Sequence, residues 1–119
     1  MTKRSVLIYL VDDDESVRRA LSRLLRSEGF AVESFDSAPA FLGRSSVSGQ
    51  ACLVLDIRMP GMSGIELVDQ MIQSGNELPT VLISAHGYEE VELGNRPSVL
   101  ACLQKPINDE ELLGLIEQV

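Results

Sequence analysis

Acidic side chains follow two of the most apolar runs in this sequence, at the positions where a buried strand would end. One run leads directly into Asp12 and Asp13, and a later run leads into Asp56. In an open parallel sheet, ligands bind beyond the carboxyl ends of the strands, because those ends meet along one edge. The three carboxylates are therefore predicted to lie in one cleft.

Two further polar residues occupy the same points of later runs. Ser84 closes the apolar run that begins at Thr80, and Lys105 follows the run 100–103. Carboxylates about 5 Å apart repel by roughly 3 kcal/mol per pair at an effective dielectric constant near 20, so the cleft needs a positive occupant. Oxygen ligands favour a hard cation, Mg²⁺ above all.

Such a cleft could support phosphoryl chemistry. A carboxylate held beside a cation can attack phosphorus and form an aspartyl phosphate. The metal and the ammonium group of Lys105 would neutralise charge on the transferring group. The hydroxyl of Ser84 could donate a hydrogen bond to a phosphoryl oxygen.

The apolar pattern supplies the elements that would position these side chains. Short apolar or alternating runs predict five strands, over 6–11, 31–35, 51–55, 80–84 and 100–103. Amphipathic segments separate them, and the alternation predicts an α/β fold with a doubly wound, five-stranded parallel sheet and helices on both faces. Gly94 and Pro97 interrupt residues 88–98, so the fourth helix should be short or irregular.

Composition bounds the class of protein. A chain of 119 residues with 45% hydrophobic and 24% charged residues suits one globular domain over residues 1–119. Asp and Glu number 18 against 10 Lys and Arg, and the resulting charge of -8 argues against direct binding to nucleic acid or an anionic membrane. We find no transmembrane run and no export signal, and both cysteines lie in apolar runs, so a reducing cytoplasm is the expected location.

Four motifs in this order resemble the receiver domain of two-component response regulators. They are the acidic stretch that begins at Asp12, the Asp-x-Arg-Met-Pro-x-Met-x-Gly stretch that begins at Asp56, the Ser-Ala-His-Gly stretch that begins at Ser84, and the Lys105-Pro106 pair. The match covers nearly the whole chain. It looks closest to receivers that precede a helix-turn-helix output domain.

The resemblance implies a role for each site residue. Asp56 would accept a phosphoryl group from a sensor histidine kinase. Asp12, Asp13 and Asp56 would hold Mg²⁺ together with the backbone carbonyl of Arg58, with Asp13 the more direct ligand.

Two further roles follow from the same resemblance. Ser84 would move toward the phosphoryl group as a conformational switch, and Lys105 would pair with that group. The Lys105-Pro106 peptide bond is expected to be cis, and an X-Pro bond is the kind for which cis costs little.

The resemblance also implies a fold and partners. It implies a flavodoxin-like strand order of 2-1-3-4-5. It implies a signalling domain that phosphorylates itself from phosphodonors and slowly hydrolyses its aspartyl phosphate, rather than a turnover enzyme. An output domain beyond this chain, such as a DNA-binding domain, is expected, as is a dimer linked to phosphorylation.

Two departures support an alternative function. Cys102 stands where most receivers carry Tyr or Phe, and the fourth helix is interrupted. Both features favour an interaction module that keeps the receiver fold but works without phosphorylation. A third alternative is a small phosphatase with Asp12 as nucleophile, but the later acidic pair that such enzymes need is missing.

Several residues near these motifs also have ordinary structural interpretations. Asp14 and Glu15 are expected to be acids at a helix N-terminus. His86 is expected to be a surface residue, and Met59 and Met62 to fill gaps in packing. The arginines of the first helix are expected to form mainly a solvated face, and a kinase-docking role for part of that face is the alternative.

Overall fold

A parallel sheet alternates with helices in the computed structural model, which describes residues 5–44, 49–85 and 96–119. The strands are β1 (Leu7–Val11), β2 (Ala31–Phe35), β3 (Ala51–Asp56), β4 (Thr80–Ser84) and β5 (Val99–Gln104). The helices in the described ranges are α1 (Glu15–Ser27), α2 (Ala38–Leu42), α3 (Gly64–Ser74) and α4 (Asp109–Ile116). The helix predicted over residues 88–98 falls mainly outside the described residues.

The strand order is β2-β1-β3-β4-β5, and every neighbouring pair is parallel. This confirms the predicted doubly wound, five-stranded sheet and its order. The central strands β1, β3 and β4 are almost entirely buried, which explains why their sequences read as continuous apolar runs rather than alternating ones.

Two hydrophobic cores cover the two faces of the sheet. Alternate residues of β1 divide between them, because successive side chains of a strand point to opposite faces. Ile8 and Leu10 pack with Leu25 of α1 and Ile116 of α4. The opposite core contains Tyr9, Val11, Phe41 of α2 and Leu67 of α3. Helices therefore cover both faces, as predicted, and none of those described is long and apolar enough to cross a membrane.

Side-chain caps begin the helices that flank the strand ends. Asp14 accepts hydrogen bonds from the backbone amides of Ser16 and Val17 at the start of α1. Ser63 and Glu66 form a complete capping box at the start of α3. Such caps satisfy amides that a helix leaves unpaired, so they set where each helix begins.

An ion pair fastens the residues before β5 to α3. The guanidinium of Arg96 donates two hydrogen bonds to the carboxylate of Asp69, with N–O distances of 2.8 and 2.9 Å. The side chain of Arg96 is only 15% exposed. A bidentate pair of this kind fixes orientation as well as distance.

Gly64 lies against the loop that follows β3. A Cβ atom at Gly64 would stand 2.4 Å from the carbonyl oxygen of Asp56 and 3.0 Å from the Cα atom of Ile57. The amide of Gly64 also donates a 2.8 Å hydrogen bond to the Ile57 carbonyl. The backbone contact therefore requires glycine at the start of α3, directly behind Asp56.

Gly64→Ala should lower the free energy of unfolding by about 2–4 kcal/mol, because both contacting atoms belong to the backbone and cannot rotate away. Gly114→Ala is the matched control. Nothing lies within 4 Å of a Cβ atom at Gly114, in the exposed part of α4. That change should stabilise the protein by about 0.5–1 kcal/mol. Urea unfolding measures both, and equal effects of the two substitutions would contradict the close-packing argument.

Candidate functional site

The sheet register brings the predicted site residues to one edge. Val11 pairs with Leu55, so Asp12 and Asp56 follow at the same level of β1 and β3. Ser84 ends β4 opposite Gln104 of β5, and Lys105 is the next residue. The backbone amide of Lys105 donates a 2.7 Å hydrogen bond to the carbonyl of Ser84, which holds the ends of these two strands together.

Three carboxylates form a compact cluster at this edge. Asp12, Asp13 and Asp56 each place one carboxylate oxygen within 4.8 Å of the others. Asp12 is 0% exposed and Asp56 is 3% exposed, whereas Asp13 faces solvent. The predicted convergence of these three residues is confirmed, and their oxygens form a group that could hold a metal ion.

Asp12 is fixed by its own backbone and its neighbours. The amide of Asp12 donates to the carbonyl of Phe35 at 3.2 Å, and its Oδ1 atom accepts a 2.9 Å hydrogen bond from the amide of Asp14. Its Oδ2 atom is buried and accepts no hydrogen bond from the described residues. A buried carboxylate oxygen without a hydrogen bond costs free energy unless a positive charge stabilises it.

Lys105 supplies positive charge to the cluster. Its Nζ atom lies 3.1 Å from Asp12 Oδ2 and 3.7 Å from Asp56 Oδ1. The first contact is an ion pair that brings a positive charge to the buried oxygen. The ammonium is therefore closer to Asp12 than to Asp56. The side chain of Lys105 is 20% exposed, so it borders the cleft and the solvent.

The pKa of Asp56 is displaced far above its ordinary value. Burial raises it most, the negative charge of Asp12 adds to the rise and Lys105 opposes it, so that the pKa moves from 3.8 to about 7. Burial alone would lower the pKa of Lys105, but the contact with Asp12 and the charge of Asp56 outweigh it and raise that pKa. The cluster thus has more negative charge than one ammonium can balance.

The other predicted residues lie around this cluster in different ways. Ser84 is 2% exposed at the end of β4. Arg58 follows Asp56 by two residues and its side chain is exposed. The Lys105-Pro106 peptide bond is cis, as predicted. His86 lies outside the described residues.

The structural interpretations of nearby residues are confirmed where the structure describes them. Asp14 is the N-cap of α1, and hydrogen bonds from Ser16 and Val17 lower its pKa. Met59 is buried in the core beside α3, and Met62 packs against that core. These residues support the site rather than form it.

The cysteines differ in burial. Cys52 is fully buried, and its burial raises the pKa of the thiol to about 12, so it is an unreactive core residue. Cys102 on β5 is only partly buried.

Sequence reasoning missed one residue that helps to position the site. The Nη1 atom of Arg18 donates a 2.6 Å hydrogen bond to the backbone carbonyl of Asp12. This bond and the Phe35 contact together hold the backbone of Asp12 at the strand end. The one sequence signal is the position of Arg18 in the first turn of α1, which is too common a feature to have identified the bond.

A family model described as the response regulator receiver domain matches residues 8–117. The response regulator protein TodT of Pseudomonas putida is 41% identical over 117 residues, which cover 98% of this chain and 52% of TodT. The transcriptional regulatory protein FixJ of Bradyrhizobium diazoefficiens is 38% identical, covering 92% of this chain and 54% of FixJ.

Among solved structures, the response regulator StyR superposes with a TM-score of 0.88 at 44% identity, covering 97% of this chain and 59% of StyR. The chain spans about half the length of the curated relatives it matches. The family match extends over nearly all of the sequence and includes every strand end that forms the acidic cluster. The chain therefore belongs to the receiver-domain family of two-component response regulators.

Proposed function

We propose that residues 1–119 form one receiver domain in which Asp56 accepts a phosphoryl group from a sensor histidine kinase in a Mg²⁺-dependent reaction. The observation that carries this proposal is the cluster of three carboxylates with oxygens within 4.8 Å of one another. Lys105 Nζ lies 3.7 Å from Asp56. A nucleophilic carboxylate beside a cation and a hard-metal site is the arrangement that aspartyl phosphorylation requires.

The donor set fits Mg²⁺. All three side-chain donors are carboxylate oxygens, and Asp12 Oδ2 is buried without a hydrogen bond. Lys105 offsets one of the three negative charges, so a divalent cation would bring the cleft to neutrality. Asp12, Asp13 and Asp56, with the carbonyl of Arg58, are the residues that would hold it. When bound, Mg²⁺ would screen the repulsion between the carboxylates and the incoming phosphoryl group.

The transfer step is a displacement at phosphorus. A carboxylate oxygen of Asp56 forms the new P–O bond while the bond to the imidazole nitrogen of the kinase breaks. The electron pair of that bond stays on the imidazole, which takes a proton from solvent. The ammonium group of Lys105 then moves from Asp12 toward the phosphoryl oxygens, which carry the transferred negative charge. The Ser84 hydroxyl donates a hydrogen bond to one of these oxygens.

The family of this chain and one of its surfaces both support a sensor histidine kinase as its partner. An apolar groove of about 580 Å³ runs between α1 and the loop after β5, and its lining includes Val17, Ala20, Leu24, Ile107 and Lys105. Because Lys105 belongs to both the groove and the site, a kinase helix in this groove would present its histidine to the cleft.

This chain would act in the cytoplasm.

The relatives that the chain matches are about twice as long. We propose a transcriptional output domain, of the DNA-binding kind, beyond the receiver domain in the whole protein. Phosphorylation would change the surface that the receiver presents to this output domain or to a second copy in a dimer.

A phosphorylation-independent interaction module is the second candidate. The observation that favours it is Cys102, which is partly buried in β5 and has neither the bulk nor the ring of an aromatic residue. The chemistry at Asp56 does not depend on that side chain. The two candidates are therefore separated by whether a phosphoryl group reaches Asp56.

Incubation with Mg²⁺ and acetyl phosphate should add one phosphoryl group to the wild-type chain, as measured by intact mass. Asp56→Asn should abolish the adduct, because the amide cannot attack phosphorus. Lys105→Ala should slow its formation at least about tenfold, because the transferring charge loses its ammonium partner. Chelation of Mg²⁺ by EDTA should abolish labelling of the wild type.

Asp109→Asn is the matched control, since Asp109 is an exposed carboxylate at the start of α4. It should be labelled like the wild type. An adduct that persists in Asp56→Asn would contradict the assignment of Asp56. A wild-type chain that takes no phosphoryl group would favour the interaction module.

The pKa of Asp56 predicts how stability depends on pH. The folded protein keeps the proton on Asp56 up to about pH 7, whereas the unfolded chain releases it near the ordinary value of 3.8. The wild type therefore loses stability, relative to Asp56→Asn, as pH rises between these values and on to about pH 8. The advantage of Asp56→Asn should grow by roughly 1–3 kcal/mol between about pH 5 and pH 8.

Urea unfolding at the two pH values measures this difference. Millimolar Mg²⁺ at pH 8 should reduce it, because a bound cation stabilises the ionised cluster of the wild type. A difference that does not change with pH would show that Asp56 is already ionised at pH 5.

A further inference from the structure

A row of arginines covers one side of α1 on a chain whose net charge is -8. Four of the ten basic residues of the sequence lie on this one helix, namely Arg18, Arg19, Arg23 and Arg26. The side chains of Arg19, Arg23 and Arg26 follow one another at spacings of four and three residues. Like charges at such spacings lie next to each other on a helix and destabilise it.

Few carboxylates offset this charge. Among the ion pairs of the described residues, only Arg19 has a carboxylate partner in this row, with 3.3 Å to Glu15. Arg18 and Arg26 each donate instead to a backbone carbonyl, of Asp12 at 2.6 Å and of Val32 at 2.9 Å. These hydrogen bonds to backbone carbonyls hold the guanidinium groups in place but do not neutralise their positive charge.

The arginines line a groove between α1 and β2, the edge strand of the sheet. Its volume is about 600 Å³, and its lining includes Arg18, Arg19, Arg23, Arg26, Glu15 and Ser34. We call this surface the arginine groove. It lies on the opposite side of α1 from the apolar groove that includes Val17 and Ala20.

We propose that the arginine groove binds an acidic peptide segment of a protein partner, in an extended conformation with carboxylates at alternate residues. Arg19 and Arg23 are about 6 Å apart along the helix axis. Alternate side chains of an extended chain recur on one face about every 6.6 Å. The two repeats therefore match at Arg19 and Arg23, whereas Arg26 follows Arg23 by about 4.5 Å.

Guanidinium chemistry suits this ligand. Each guanidinium has five N–H donors in a planar fork that fits a carboxylate, so the bonds that Arg18 and Arg26 make to carbonyls leave donors for a ligand. Those bonds also hold the two side chains in place before binding, which lowers the entropy lost when the peptide binds.

The charges around the groove favour a peptide over nucleic acid. Glu15 lies in the lining, and the chain as a whole has a net charge of -8. A long polyanion would extend past the groove over a surface with net negative charge, where it is repelled. A short acidic segment can reach the arginines without extending over that surface.

The test is fluorescence anisotropy with a labelled peptide of about seven residues, with Glu at every second position and Ser elsewhere. Low salt should favour binding, because these charges face solvent. The double variant Arg19→Gln/Arg23→Gln should weaken binding at least about tenfold. The control Gln70→Glu/Gln73→Glu lowers the net charge equally on the exposed side of α3, and should change binding less than about threefold.

Three comparisons could overturn the proposal, once urea unfolding shows that both double variants fold. Equal loss in the two would assign the effect to net charge. If a peptide with consecutive Glu residues bound equally well, the spacing of the carboxylates would not matter for binding. If a peptide with Gln in place of Glu bound equally well, the carboxylates themselves would not matter. Duplex DNA or phosphatidylserine vesicles that bind more tightly than the peptide would assign the groove to another polyanion. Absence of peptide binding would contradict the proposal directly.

Discussion

Repulsion among three carboxylates that share one ammonium group is the constraint on which the rest of this structure depends. Each pair at the observed separation costs about 3 kcal/mol at an effective dielectric constant near 20. The cluster exists because two hydrophobic cores fix the strands whose ends bear it. The same repulsion would favour binding of a divalent cation, because its positive charge offsets that of the carboxylates.

Most of the site could be predicted from the sequence because its signals are local. A strand buried on both faces reads as an apolar run, and the residue after the run lies at the sheet edge where ligands bind. That rule alone brought Asp12, Asp13 and Asp56 together with Lys105. The strand order confirmed the rule, and Asp14 and Glu15 lie at the start of α1 as predicted.

The remaining features depend on side-chain positions that no local pattern encodes. The preference of Lys105 for Asp12 over Asp56 is a matter of less than 1 Å. The bond of Arg18 to Asp12 joins α1 to the end of β1. The bond of Arg96 to Asp69 joins the residues before β5 to α3, 27 positions away in the sequence. Each requires the fold before it can be recognised, because an arginine has several partners within reach in any folded protein.

Helix α1 serves several surfaces at once, and Arg18 joins two of them. Its guanidinium lines the arginine groove while it holds the carbonyl of Asp12 at the cleft. A ligand that draws the guanidinium away from this carbonyl changes the free energy of the strand end that carries Asp12. By thermodynamic reciprocity, occupancy of the cleft must then change the affinity of the groove by the same factor. A single hydrogen bond would thereby couple phosphorylation at the cleft to partner binding at the arginine groove.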